Sequence, residues 1–281
     1  MVTTNPIGIF LSSFHVPAFF LLAGYTYKQT KCFGKFVLKK FIRLLIPYFL
    51  VSLISIFIFY FFGDYVAEKL MIDIKSTEIM PNILGMLYGN GQTGYMKWNL
   101  PLWFIPTLFS ALIIYYWVDK LISIIPVNKT IAKLFFLLFF LGFAFMNYNT
   151  FKFKNLVFGI DNALYNMPFI LLGSILKDLF DKKNIKWFIN LVLGIIAVGL
   201  GTLLVFVVRK HGCDYVGNSF GNIYLFYLSS ALLSVGFLFI FKLFKKGRFF
   251  AEIGKRTLFI LLFHKFFIIL YQINFKKYLL E

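Results

Sequence analysis

The chain has 281 residues, of which 60% are hydrophobic and 40 are phenylalanine, and its formal net charge is +18. A water-soluble domain of this length would expose large apolar patches, which favour aggregation. The basic residues lie in short connectors between long apolar runs, as is typical of helix flanks beside anionic lipid, so we set nucleic acid aside as a partner. The composition predicts an integral membrane protein whose surroundings are membrane lipid.

Eight apolar runs can cross a bilayer, since about 20 helical residues span a hydrocarbon core of about 30 Å. Backbone groups in lipid must be paired within the segment, and the runs are continuous rather than alternating, so helices are favoured over a membrane barrel. We predict an all-α, polytopic helix bundle that forms one membrane-embedded domain over residues 1–281. The predicted spans are 7–27, 43–62, 101–118, 131–147, 157–176, 187–208, 223–244 and 257–273.

The first run carries an ionisable residue near its middle, His15 in SSFHVPAFFLLAGYTYK. A group of this kind usually faces a bundle interior or a water-filled cavity. An imidazole transfers protons near neutral pH because its unperturbed pKa is about 6.5. His15 is therefore either a general base or polar anchor in a buried site, or a neutral histidine that is hydrogen-bonded between helices.

The connector after the first run, residues 28–43, is rich in lysine and arginine, which favour the cytoplasmic side near span ends. Alternate connectors on its side hold about twice as many basic residues as the others. We therefore predict that residues 28–43 are cytoplasmic. The first span then runs from outside to inside, as in a bundle that lacks its first helix.

Within KKFIRLLIPY, the basic residues Lys39, Lys40 and Arg43 share one helix face because they lie three and four residues apart. Such a face can bind the phosphates of a nucleotide-like donor, because the planar guanidinium group of arginine forms two parallel hydrogen bonds to a phosphate. Ordinary anchoring at the cytoplasmic surface explains the same three residues.

The long connector 63–100 contains IMPNILGMLYGN, which is typical of a weakly amphipathic helix in the membrane interface. Trp98 and Trp103 follow it and fit an aromatic belt at that interface. His264 lies midway along the last run, next to Lys265, where a structural role is also plausible. We expect no metal, because Cys32 and Cys213 lack the spacing of a metal site.

A series of segments recurs in an order that is characteristic of one protein family. They are FHVPAFFLLAGYTYK, KKFIRLLIPY, LPLWFIPTLF, MPFILLGSILK and IGKRTLFILLFHKFF, which together cover about residues 10–270. In these segments the chain resembles the acyltransferase-3 family of integral-membrane O-acyltransferases, especially its fucose-4-O-acetylase-like branch.

This resemblance implies transfer of acetyl from cytoplasmic acetyl-coenzyme A to a sugar hydroxyl of a surface polysaccharide or its precursor, in a bacterial inner membrane. It implies that His15 lines the site on the family's second helix, and we expect His15 to be the catalytic residue of this chain. Lys40 and Arg43 match the family's basic motif for the donor, and Lys39 shares their helix face. His264 matches the histidine of the closing helix, and we expect it to line the site together with Trp103.

One departure from the family concerns the start of the chain. Members of the family begin with a helix that ends in a histidine, often within VVLGH, and that residue is the favoured catalytic base. No such helix precedes IGIFLSSFHVP here, so we expect the family's first helix to be missing. Three functions stay open: an O-acetyltransferase that relies on His15, a transporter or flippase for lipid-linked sugars, and an inactive remnant of the enzyme.

Overall fold

The computed structural model describes residues 5–70, 78–91, 96–182, 186–209, 213–244 and 248–275. Over these residues the chain is helical, and strand-like pairing is restricted to an isolated bridge between Asp214 and Ser219. In the part of the chain that the structure describes, eight helical segments are long and apolar enough to cross a membrane, and each overlaps one of the predicted spans. The prediction of an all-α, polytopic membrane helix bundle is confirmed.

Long helices carry the spans, and short 3-10 and π-helical segments extend or join them. The helices are α1 (Pro6–Tyr25), α2 (Phe33–Lys40), α3 (Ile46–Leu70), α4 (Ile79–Tyr88), α5 (Phe104–Ile124), α6 (Lys129–Met146), α7 (Ile160–Lys182), α8 (Trp187–Leu203), α9 (Ile223–Phe241) and α10 (Arg248–Phe275). The π-helical segments are Phe41–Leu45, Asn147–Phe151 and Leu204–Arg209, and the 3-10 segments are Lys97–Trp103 and Val157–Gly159.

Asparagine caps mark the starts of three helices. The side chains of Asn5, Asn128 and Asn222 accept hydrogen bonds from backbone N–H groups in the first turns of α1, α6 and α9. The first N–H groups of a helix have no partner inside it, so such a cap typically contributes about 1 kcal/mol. These residues therefore define where the chain leaves a connector and enters a span.

The described chain groups into two compact units, each built from three stretches of sequence. The first unit comprises Met1–Lys31, Ala111–Lys154 and Asp161–Lys246. The second comprises Cys32–Ser110, Asn155–Ile160 and Gly247–Glu281. The prediction of a single domain over residues 1–281 stays a prediction.

In the first unit, α1 and α7 cross with their backbones in direct contact. A Cβ atom on Gly24 would lie 1.9 Å from the carbonyl oxygen of Ile170, and one on Gly173 would lie 1.9 Å from that of Leu21. Without a hydrophobic force between helices in lipid, small residues that permit close approach are what allow such a crossing. Helix α9 packs along both α1 and α8 and completes this unit.

In the second unit, the chain that follows α3 folds back beside it. The hydroxyl group of Tyr48, near the start of α3, donates to the carbonyl oxygen of Met86 in α4 at 2.8 Å. At the middle of α3, Phe59 stacks on Trp98 with ring centroids 4.6 Å apart. Trp98 is buried in this unit with Val66 and Ile269, so it is a core residue rather than part of a lipid-facing belt.

These contacts place α4 beside the first turn of α3 and Trp98 beside its middle. Residues 44–63, which comprise the end of the π-helical segment and most of α3, carry no charged side chain, as is expected of a stretch that hydrocarbon covers. The helix predicted in IMPNILGMLYGN is present as α4. Its predicted position in the membrane interface stays a prediction.

Candidate functional site

His15 lies on α1, in the first unit, with an exposed side chain. Its Nδ1 atom lies 2.8 Å from the carbonyl oxygen of Leu11, and its ring meets Tyr215 edge-on at 5.9 Å between centroids. A carbonyl oxygen only accepts hydrogen bonds, so Nδ1 carries the hydrogen and the lone pair of a neutral imidazole is on Nε2. His15 is thereby prepared to accept a proton.

The basic residues Lys39, Lys40 and Arg43 lie in the second unit, at the junction of α2 and α3. Lys39 and Arg43 are exposed, whereas Lys40 is half-buried with its Nζ atom 5.5 Å from the ring centre of Phe36. Arg43 belongs to a π-helical segment, because Pro47 has no N–H with which to continue the α-helical pattern at the Arg43 carbonyl. The exposed guanidinium group can form two parallel hydrogen bonds to a phosphate.

A cleft of about 400 Å³ in the first unit is lined in part by a second set of basic side chains. It is lined by Gln29, Thr30, Lys31, Tyr116, Lys120 and Ser123. The hydroxyl group of Tyr116 donates to the carbonyl oxygen of Lys31 at 3.4 Å and ties the connector after α1 to α5. Because this cleft joins residues far apart in sequence, the pattern of basic residues along the chain did not indicate it.

His264 lies on α10 in the second unit and is half-buried. Its Nδ1 atom lies 2.8 Å from the carbonyl oxygen of Leu261, so a neutral His264 also has its free lone pair on Nε2. Trp103 is half-buried at the end of a 3-10 segment that packs against α10. Among the described residues, no group of three or more His, Cys, Asp or Glu side chains is placed to hold a metal ion.

A small cavity of about 20 Å³ lies in the second unit, beside Trp103. Its lining is Tyr48, Gly85, Gly89, Asn90, Gly91, Met96, Asn99, Leu100, Leu102 and Trp103. The amide of Asn90 is held by the carbonyl oxygen of Leu156 at 2.8 Å, and Asn99 is 1% exposed. A cavity of this size holds about one water-sized group.

The structure therefore places the predicted residues in both units. Trp103, His264 and the basic residues of α2 and its π-helical extension belong to the second unit, and His15 belongs to the first. Within the second unit, the helix that carries His264 contacts the segment that ends at Trp103. Their roles in binding and catalysis stay predictions.

A buried polar cluster at the start of α7 is a feature that sequence reasoning missed. Asp161 is 1% exposed and accepts a hydrogen bond from Asn218 at 3.2 Å. The hydroxyl group of Tyr165 accepts from the side-chain amide of Asn147 at 2.9 Å, and its carbonyl oxygen accepts from the hydroxyl group of Tyr227 at 2.6 Å. The signal was present in IDNALYNMP, where polar residues recur at helical spacing inside an apolar span.

A comparison with models of known protein families gives a match. The sequence model of a protein family, which is described as an acyltransferase domain, matches residues 1–280 and so nearly the whole chain. No curated protein and no solved structure matches. The match covers both units, all eight candidate spans and the residues predicted for the site. The chain is a multi-pass membrane protein and belongs to the acyltransferase-3 family.

Proposed function

We propose that this membrane acyltransferase moves an acetyl group from acetyl-coenzyme A to a hydroxyl group of a saccharide, in a surface polysaccharide or its precursor. The observation that carries the proposal is the family match over residues 1–280. We further propose a bacterial inner membrane as its location, with residues 28–43 on the cytoplasmic side, where the donor is made. The count of basic residues supports this orientation.

The donor is bound through its phosphates by Lys39, Lys40 and Arg43. Coenzyme A carries several phosphate groups, and an exposed guanidinium is the side chain that matches phosphate in a fork-like, two-point contact. Arg43 supplies this contact at the mouth of the span, and the exposed Lys39 adds positive charge on the same face. The half-buried Lys40 holds its ammonium group over the ring of Phe36, and this contact keeps that face in place.

His15 acts as the general base. The acceptor hydroxyl oxygen attacks the thioester carbonyl carbon, so that a carbon–oxygen bond forms and the carbon–sulfur bond breaks. The hydroxyl proton passes to Nε2 of His15 and then to the departing sulfur, which leaves as the thiol of coenzyme A. The carbonyl oxygen of Leu11 holds the Nδ1 hydrogen and stabilises the imidazolium that forms between these steps.

The test uses the full chain in lipid nanodiscs with acetyl-coenzyme A labelled in its acetyl group. We expect label to appear in saccharide isolated from the envelope of the source cells, and coenzyme A thiol to be released in equal amount. A transporter would move saccharide without labelling it, and a remnant would do neither. Absence of label from every envelope saccharide offered would contradict the proposal.

A further inference from the structure

One residue that lines the small cavity of the second unit carries a buried hydrogen-bond acceptor with no partner among the described residues. The side chain of Asn99 is 1% exposed, and its Oδ1 atom has no hydrogen-bond partner among the described residues. A buried polar atom of this kind costs about 1–3 kcal/mol, so its presence in the free protein needs an explanation. Binding of a ligand in the cavity provides one.

The orientation of the Asn99 amide is determined by its neighbours. Its Nδ2 atom donates to the backbone carbonyl oxygen of Leu262 at 3.3 Å and to the hydroxyl oxygen of Ser55 at 3.2 Å. Since a carbonyl oxygen cannot donate, an amide turned the other way would set two acceptors against each other. Oδ1 is therefore the atom of this amide that is left for a ligand, and Asn99 is one of the residues that line the cavity.

The lining of the cavity describes the group that would fill it. Among the described residues that line it, no side chain is charged, and apolar side chains and glycines form most of the wall. An ammonium group would be desolvated there without a counter-charge, which is costly. The group must instead be a neutral donor about the size of one water molecule, and a hydroxyl group meets both conditions.

We propose that this cavity takes one hydroxyl group of the saccharide acceptor, which donates its hydrogen to Oδ1 of Asn99. Trp103 lines the cavity and is half-buried, so its exposed part provides the aromatic surface on which the apolar face of the sugar ring lies outside the cavity. The inference rests on the proposed function, because it names the part of the chain that recognises the acceptor of that reaction. A site that is built to bind a substrate hydroxyl discriminates strongly against analogues that lack it.

The test compares Asn99→Leu and Asn99→Asp with Asn190→Leu, which changes a buried asparagine of α8. Asn99→Leu removes the acceptor, whereas a protonated aspartic acid at the same position still donates to Leu262 and accepts from a hydroxyl. Methyl glycosides of fucose, glucose and galactose serve as acceptors, with labelled acetyl-coenzyme A as the donor. Chromatography in detergent verifies that each variant is folded.

We expect Asn99→Leu to raise the KM for the methyl glycoside about tenfold or more, with the KM for acetyl-coenzyme A unchanged. Asn99→Asp should recover most of the loss, and Asn190→Leu should behave like the natural chain. A rise in the KM for acetyl-coenzyme A instead would overturn the inference, because an amide N–H of the donor would then be the ligand. Unchanged KM values in a folded Asn99→Leu variant would mean that the cavity binds a water molecule rather than the saccharide, and would also overturn the inference.

A binding measurement separates this inference from the proposed function. Titration of the same methyl glycosides without donor should change the tryptophan fluorescence, and Trp103→Phe should remove that change. Saccharide binding that Asn99→Leu weakens, in a chain that transfers no acetyl group, would support the inference and reject the acetyltransferase. Transfer with equal glycoside binding by the natural chain and Asn99→Leu would support the enzyme and reject the inference. A chain that neither binds nor transfers would reject both.

Discussion

The imidazole of His15 donates its Nδ1 hydrogen to the carbonyl oxygen of Leu11, 2.8 Å away and four residues earlier on α1. Pairing within its own helix fixes the tautomer of the neutral ring without help from another helix. Nε2 is thereby left with its lone pair on an exposed side chain. A general base requires this arrangement, whereas a histidine that only joins two helices would use both nitrogen atoms.

The first prediction concerns this base. His15→Gln removes the proton acceptor but keeps a polar side chain of similar length, so we expect acetyl transfer to fall about 10²- to 10⁴-fold while the chain still inserts in the membrane. The measurement is the initial rate of label transfer in nanodiscs at saturating donor. His264→Gln, on α10, is the matched control and should lower the rate less. An unaltered rate in His15→Gln would assign the base to another residue.

Binding of the donor gives the second prediction. Arg43→Ala removes an exposed guanidinium, so we expect the KM for acetyl-coenzyme A to rise about tenfold or more, because a charge-assisted bond to phosphate is lost. Arg43→Lys keeps the charge without the two-point contact and should be intermediate. Lys69→Ala removes an exposed cation at the far end of α3 and should have no effect. Equal KM values for all three variants would contradict the donor role.

Orientation can be tested with the natural cysteines. Cys32 is exposed and belongs to the predicted cytoplasmic connector, whereas Cys213 is buried. A maleimide that cannot cross membranes should label inverted vesicles and leave right-side-out vesicles unlabelled. Cys32→Ser should abolish the labelling and so confirm its position. Label on right-side-out vesicles alone would place residues 28–43 outside and remove the proposed route of the donor.

The helix crossing in the first unit gives a prediction about stability. Gly173→Ala places a methyl group 1.9 Å from the backbone carbonyl oxygen of Leu21, which has no room to move aside. Because α1 and α7 must separate to relieve this clash, we expect a large loss of thermal stability in detergent. Gly142→Ala in α6, where a Cβ atom meets nothing within 4 Å, should leave the melting temperature unchanged or slightly raised. Equal melting temperatures for both variants would contradict the crossing.

The returning segment of the second unit gives a last prediction. Tyr48→Phe deletes the hydroxyl group that donates to the carbonyl oxygen of Met86 and leaves that acceptor buried. We expect a loss of about 1–3 kcal/mol in the free energy of unfolding, since a buried carbonyl loses its partner. Tyr60→Phe, at an exposed position of the same helix, should cost nothing measurable. Unfolding by a graded series of denaturing detergent provides the measurement.

Much of this protein is determined along the chain. The eight spans follow from local composition, because a run of about 20 apolar residues has no favourable place except a lipid-embedded helix. The exposed basic face around Arg43 follows from helical spacing, and the tautomer of His15 follows from a carbonyl one turn earlier. These features depend on neighbours within a few residues, so they do not require the packing of segments that are distant in sequence.

What the tertiary structure decided depends on residues that are distant in sequence. The cavity at Asn99 requires contacts with Ser55 and with Leu262, which lies 163 residues away. The sequence of the connector 63–100 shows only turns and a weakly amphipathic helix. Nothing in its pattern indicates that it folds back against α3 and contacts Tyr48. Apolar pattern specifies which segments enter lipid, but the pairing of buried polar groups depends on how helices pack.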